Sequence, residues 1–316
     1  MHPAISIVLF TGLSGAGYGA LVWIGVLNAL RQLPESRVFA VIVSALCLAL
    51  IVAGLLSSTF HLRHPERAWR ALSQWRSSWL SREGVMAFIT FVPALIFIGG
   101  WIASRGETGT LVLFGLAAAV CAVVTMICTA MIYRSLWTVP SWSNHWTVPS
   151  FLAIGLAGGA LIVCAAVALT TGIVSGFPLG VAFVALLGSA VAKACAWRHA
   201  DRPGESDLGS ALGMAGRVKG GHLLEAPHSS ENYLQREMIF RIGRKHAQKL
   251  RRIALIAGIV VPATLLVIGA LAGGLFGAIL VVVAAGASLG GTLIERWLFF
   301  AEAKHKVSLY YGAASV

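Results

Sequence analysis

Apolar residues in this chain neither alternate nor follow a narrow amphipathic stripe. They come in eight long runs, at 4–30, 38–60, 85–103, 109–132, 150–172, 176–196, 253–273 and 275–300. A helix needs about 20 mainly apolar residues to cross a bilayer, and each run meets that length. Inside lipid no water satisfies the peptide N–H and C=O groups, so each run has to be a helix. A barrel would show segments of about ten residues with alternating polarity, and none is visible. The pattern predicts an all-α, polytopic membrane protein: eight transmembrane helices in a bundle, one transmembrane domain over 1–316 with a basic insertion at 198–252. Gly12, Gly15 and Gly19 recur at helical spacing, as do Gly286 and Gly290. Faces of small residues let membrane helices approach closely, so packing is the expected role of these glycines. The first run is too long for a signal peptide and lacks a basic leader, and it reads as a first span.

Composition strengthens this picture. Hydrophobic types make up 58% of the residues and charged types 11%, against about 25% charged in a soluble domain. That is too little charge to coat a water-facing surface, which excludes a soluble globular enzyme, a disordered chain and a disulfide scaffold. The cysteines, Cys47, Cys121, Cys128, Cys164 and Cys195, lie in or beside apolar runs without a C-x-x-C pair. They read as small core residues, with no metal site signalled.

Charge is distributed unevenly. With eight spans, both chain ends and the connections 2–3, 4–5 and 6–7 share one side. That side carries 21 of the 24 Lys+Arg, and Arg31, Arg37 and Arg105 are the 3 on the other. Leaving out the long connection 6–7, where the positive-inside rule fades, the division is still 9 to 3. The rule places the basic side in the cytoplasm. The net charge of +12 then reflects loops facing anionic headgroups, not nucleic acid. Within the insertion, 201–228 reads as irregular. Residues 229–253 read as an amphipathic basic helix, either lying along headgroups or serving as a partner-docking arm.

The chemistry gathers at that same side. Mid-span ionisable groups usually mark transport or proton pathways, but here Lys193, Glu295 and Arg296 sit near span ends and the interiors carry no charge. All nine histidines fall at the N-terminus, at span ends or in loops, so no paired axial ligands for haem are expected. Three polar, aromatic patches stand out: 61–84, 133–150, in which T-V-P-S occurs twice, and 295–311. An aromatic belt at the interface accounts for tryptophans such as Trp69, Trp75, Trp79, Trp137 and Trp146. It does not explain His61 and Arg67 beside the end of span 2. A quinone headgroup would, because it needs an apolar pocket reached from lipid, a few donors and a group that passes protons, as histidine can.

The segment F-H-L-x-x-P-E-R-A-W, Phe60 to Trp69, followed by S-S-W-L-S-R-E, Ser77 to Glu83, resembles the membrane anchor subunit of dimethyl sulfoxide reductase-type complexes, as does the patch of Tyr133 and T-V-P-S-W, Thr138 to Trp142. The resemblance runs through all eight spans. It implies a haem-free anchor in a bacterial inner membrane that binds quinone, ubiquinone or menaquinone. Its partners would be an iron–sulfur subunit and a catalytic subunit with the molybdenum cofactor. By resemblance His61 and Glu83 belong to the quinone pocket with Arg67 beside them, and Tyr133 and Trp142 are weaker candidates. Arg63, Arg70, Arg76, Lys304 and Lys306 are candidates for docking the iron–sulfur subunit. The basic loop 2–3 and the cytoplasmic docking face make the chain most similar to the anchor of cytoplasm-facing sulfite-oxidising enzymes. The alternatives are a quinol-oxidising anchor of an S- or N-oxide reductase, a small-molecule transporter, which would show inverted repeats with broken helices, and a tether without quinone.

Overall fold

The computed structural model describes residues 3–60, 64–174, 176–201, 209, 212, 214 and 246–311. Among these, eight helices are long and apolar enough to cross a membrane, and no strand occurs. They are α1 (Ile5–Ala29), α2 (Arg37–Ser57), α3 (Trp79–Ala103), α4 (Val112–Arg134), α5 (Thr147–Thr171), α6 (Phe177–Ala200), α7 (Ala247–Ala272) and α8 (Gly274–Ala301). Five-residue π-helical segments interrupt α1 at Phe10–Ser14 and α7 at Ile256–Val260. The protein is therefore a polytopic all-α membrane protein. Helices α6 and α7 run into the basic insertion from both sides, to Ala200 and from Ala247. Residues 229–245 of the amphipathic stretch lie outside the described residues.

Helix ends follow from local chemistry. Ser36 and Ser78 cap α2 and α3, their hydroxyls accepting from the amides of Phe39 and Ser81. Such caps satisfy donors that the helix leaves open. The cap at Ser78 starts α3 six residues before its apolar run, so Glu83, read above as part of a loop, lies within the helix. The turn between α7 and α8 is made by Gly273 and Gly274, both at positive φ (63° and 56°). An L side chain there would be strained, and no longer connection is available between the two helices.

The helices form two groups joined through α5. Helix α1 packs on α4 and α5, and α3 on α4; α5 also packs on α6 and α8, and α7 on α8. Between lipid-solvated helices apolar transfer adds little, so close van der Waals approach has to hold them. Small residues permit it. A Cβ at Gly19 would collide with the backbone of Gly155, and one at Gly291 with that of Gly258. Gly12 and Gly15 also face neighbouring helices, whereas Gly286 and Gly290 point outward and meet no neighbour among the described residues. In the first group Trp101 is fully buried, stacked on Phe97 at 5.5 Å and edge-on to Phe39 at 5.7 Å. Outward positions stay apolar, with Leu271 83% and Leu113 78% exposed, as a lipid-facing surface requires.

Hydrogen bonds tie the connections at each end. On one side Asn28 Oδ1 accepts from the Gly109 amide at 3.1 Å and Thr108 donates to Glu35 at 2.8 Å. On the other, basic, side Ser57 donates to the Ser6 carbonyl at 3.0 Å and the Lys306 amide donates to the Thr138 carbonyl at 2.8 Å.

Candidate quinone site and docking face

Glu83 is the feature around which the basic end of the first group is organised. Glu83, Ala87, Thr90 and Ala94 share a buried face of α3, at the 3–4 residue spacing of one helical side. Glu83 is 5% exposed, and among the described residues its Oε1 has no hydrogen-bond partner. It lies within electrostatic reach of Tyr18, Cys128 and Tyr133. Two turns deeper, Thr90 and Thr125 share a hydrogen bond at 2.9 Å. The Tyr18 hydroxyl is buried, without a hydrogen-bond partner among the described residues. A narrow crevice between α1, α2 and α3 is lined by Tyr18, Leu21, Leu48, Ile51, Thr90, Phe91 and Ala94. Buried polar atoms normally find partners, so the Glu83 oxygen near the basic end and the Tyr18 hydroxyl half-way along α1 mark places where a polar group is missing among the described residues.

Tyr133 and Trp142 are brought together, in an aromatic cluster between the two helix groups. Their rings are 5.5 Å apart edge-on, and Tyr133 also stacks on Phe151 at 5.6 Å and meets Phe299 and Phe300. Trp142 stacks on Phe299 at 5.4 Å and its Nε1 donates to the Phe299 carbonyl at 2.8 Å. Beside this cluster Arg296, 2% exposed, places its guanidinium 3.7 Å over the Phe151 ring. Glu295 bridges Arg296, at 3.2 Å, and Lys193. A buried charge is tolerated only when so paired.

Arg67 is placed differently. It lies on an exposed 3-10 helix, Pro65–Gln74, where its ion partner is the neighbouring Glu66 at 3.8 Å. Glu66 also pairs with His64 Nδ1 at 3.0 Å. This segment is anchored to α3: the Ser81 hydroxyl donates to the Ala71 carbonyl, and Arg82 donates to the carbonyls of Trp75 at 3.0 Å and Arg76 at 2.6 Å. Three of the docking candidates cover exposed tryptophans. Arg70 lies 5.6 Å over Trp69, Arg76 5.3 Å over Trp75, and Lys306 5.0 Å over Trp137. Lys304 is exposed on the same end. Tryptophan and arginine are enriched at the energetic hot spots of protein interfaces. His61 and Arg63 lie outside the described residues. Among the described residues no cluster of metal-ligating side chains occurs.

Residues 1–202 match the family model of the DMSO reductase anchor subunit. The chain is also 32% identical to a sulfite dehydrogenase subunit of Allochromatium vinosum, with both chains covered over their full length. The chain belongs to the DMSO reductase anchor subunit family.

As a member of that family it is the membrane anchor of an oxidoreductase complex. The family model ends within the basic insertion and spans both Glu83 and the Tyr133–Trp142 cluster. Two groups were not singled out from sequence: Tyr18, half-way along α1, and Lys193 as the partner of Glu295. Lys193 and Glu295 carried a signal, since charges within apolar runs are rare. Tyr18 carried none, because a tyrosine in a glycine-rich span reads as packing.

Proposed function

We propose that this chain is the quinone-reactive anchor of a heterotrimeric oxidoreductase. It passes electrons between an iron–sulfur subunit, joined to a molybdenum catalytic subunit, and the membrane quinone pool. The observation that carries the reading is Glu83, a buried carboxyl at the basic end of α3 with an oxygen that has no partner among the described residues. An orphaned carboxyl oxygen and the orphaned Tyr18 hydroxyl suit a head that carries oxygens and exchanges protons. The crevice beside Tyr18 is tight, so a ring enters by displacing side chains on α2 and α3.

Reduction of a quinone to a quinol consumes two electrons and two protons. Electrons come from the partner's clusters, so the ring has to lie close to the docking face, where Glu83 is. Glu83 takes up a proton from the basic side and releases it toward a ring oxygen, and His61, by resemblance, relays from the adjoining loop. Tyr18 and Tyr133 hold the head against the bundle. No charge is needed in the span interiors, in line with their composition.

The sulfite dehydrogenase relative favours sulfite as the electron source: sulfite and water yield sulfate, two protons and the two electrons. The positive-inside division favours a cytoplasmic docking face in a bacterial inner membrane. The test is His61→Ala in the purified complex. Quinone-linked turnover is expected to be lost, while subunit assembly and dye-linked turnover of the catalytic subunit persist. Wild-type quinone-linked turnover would overturn the assignment of His61 and shift the site away from loop 2–3.

A further inference from the structure

Helix α7 leans on α8 along its length, with Gly258 of its π-helical segment against Gly291, and scarcely touches α6. An open cleft is left between α6 and α7, floored by α5 and α8 and lined on its two sides by Trp197, Leu255, Gly258 and Ile259. Its volume is only about 30 Å³, enough for one or two waters, so neither a ring nor a headgroup fits inside. A thin chain can lie along it. The outward faces of both helices are apolar: Val184, Leu187 and Val191 on α6, and Ile256 and Val260 on α7, are each more than half exposed. Along the membrane these two helices therefore lack the close packing on each other that joins the rest of the bundle.

The top of the cleft is charged. Arg251 lies 5.5 Å over the Trp197 ring, so the last turn of α6 and the start of α7 stand at one level. Arg251 donates to Asp201 at 2.7 Å and to Glu302 at 2.8 and 3.0 Å, a cluster with one negative charge in excess. Below it Lys193 and Arg296 share Glu295, a cluster with one positive charge in excess. The two clusters offset each other. Left over at the mouth are Arg198, Lys249 and Arg252, all exposed and in no ion pair among the described residues. Arg252 lies one turn before Leu255 on the same side of α7, and Lys249 one turn before Arg252. Arg252 is also the last residue before the apolar run that starts at 253, which is the headgroup level of a bilayer. Three unpaired cations directly above a thin apolar cleft match one kind of molecule, a phosphate-bearing anion with a hydrocarbon chain. We propose that the cleft between α6 and α7 is a site for an anionic phospholipid, with its phosphate on Arg252 and Lys249, Arg198 at the same level, and one acyl chain lying along the cleft. The chain makes the contact that α6 and α7 do not make with each other, since lipid chains and apolar side chains are nearly equivalent surroundings. The site does not rest on the quinone reading.

The test is native mass spectrometry of the delipidated complex, titrated with phosphatidylglycerol or with phosphatidylcholine of the same acyl chains. Phosphatidylglycerol is expected to bind about ten-fold or more tightly than phosphatidylcholine, whose choline cancels the phosphate charge. Lys249→Gln with Arg252→Gln is expected to weaken phosphatidylglycerol binding about 30-fold, at about five-fold for each basic residue near an anionic headgroup. Both side chains are exposed, so the variant should fold. Arg37→Gln with Arg105→Gln removes as much charge from exposed positions at the other end of the bundle and is expected to leave binding unchanged. In the wild-type complex, phosphatidylglycerol with a diazirine in its acyl chain is expected to label peptides 189–197 or 254–259. Equal binding of the two lipids, binding unchanged in the Lys249 and Arg252 variant, an equal loss in the control variant, or labelling absent from both peptides would overturn the proposal. So would displacement of the lipid by glycerol phosphate at equal concentration, which would show that the cleft contributes nothing.

Discussion

Glu83→Gln separates a proton-handling role of Glu83 from a packing role. The two side chains have nearly the same shape, and Glu83 is 5% exposed with Oε1 already unpartnered among the described residues. The amide brings a new N–H donor into that site, and leaving it unsatisfied costs about 1–3 kcal/mol. The neighbours on the same face, Ala87, Thr90 and Ala94, are untouched, so the complex should still assemble. A positioned acid or base contributes about 10²–10⁴-fold to a rate. Quinone-linked turnover should therefore fall by about 10²-fold or more, at least roughly 2.7 kcal/mol of activation free energy. Glu83→Asp keeps the carboxyl but withdraws it by one carbon–carbon bond. A displacement of that order can cost about 10²-fold in a positioned reaction, so it should fall short of wild type while exceeding the glutamine variant. Glu66→Gln is the control, since the Glu66 side chain is 62% exposed and, among the described residues, bound to its neighbours His64 and Arg67. The assay compares turnover with a short-chain quinone and with an artificial dye on the same purified complex. Quinone-linked turnover of assembled Glu83→Gln within two-fold of wild type would refute the argument.

Further outcomes test the docking face and the tail. Arg70→Glu with Arg76→Glu should slow association of the iron–sulfur subunit most at low ionic strength, where attraction is least screened; association unchanged at every salt concentration would make these arginines lipid anchors. Burial holds His305 below the usual histidine range, and its Nδ1 accepts from the Val307 amide at 3.0 Å. The neutral ring is thus the form favoured in the folded tail, so this contact is complete above about pH 6.5 and is lost as pH falls through the depressed folded value. Hydrogen exchange at Val307 should accelerate on acidification in wild type and be fast at all pH values in His305→Ala; pH-independent protection in wild type would contradict it.

Long apolar runs carried the architecture on their own. A backbone in lipid has no partner except itself, so length and hydropathy suffice to specify eight helices, and the observed spans overlap the eight runs closely. The family was legible too, from the loop 2–3 and Tyr133–Trp142 motifs that lie within the region matched by the family model. Helix ends were less legible. Trp79–Arg82 read as loop because Ser81, Arg82 and Glu83 separate it from the apolar run that starts at 85, yet the Ser78 cap makes it the first turn of α3 and so carries Glu83 into the bundle. Which glycines pack was not legible either: Gly286 and Gly290 have the same spacing as Gly15 and Gly19 but face outward, because spacing defines a face and not its neighbour. The same limit applies to the site. Hydropathy gives the depth of Glu83, Tyr18, Lys193 and Glu295 along their helices, but the rotation and pairing of helices decide whether a polar atom at that depth meets a partner. Glu83 meets none among the described residues, whereas Glu295, at a similar distance from its helix end, meets Lys193 and Arg296. That difference arises from packing between helices far apart in the chain, where small residues and shape choose the contacts, since lipid and apolar side chains are nearly equivalent surroundings.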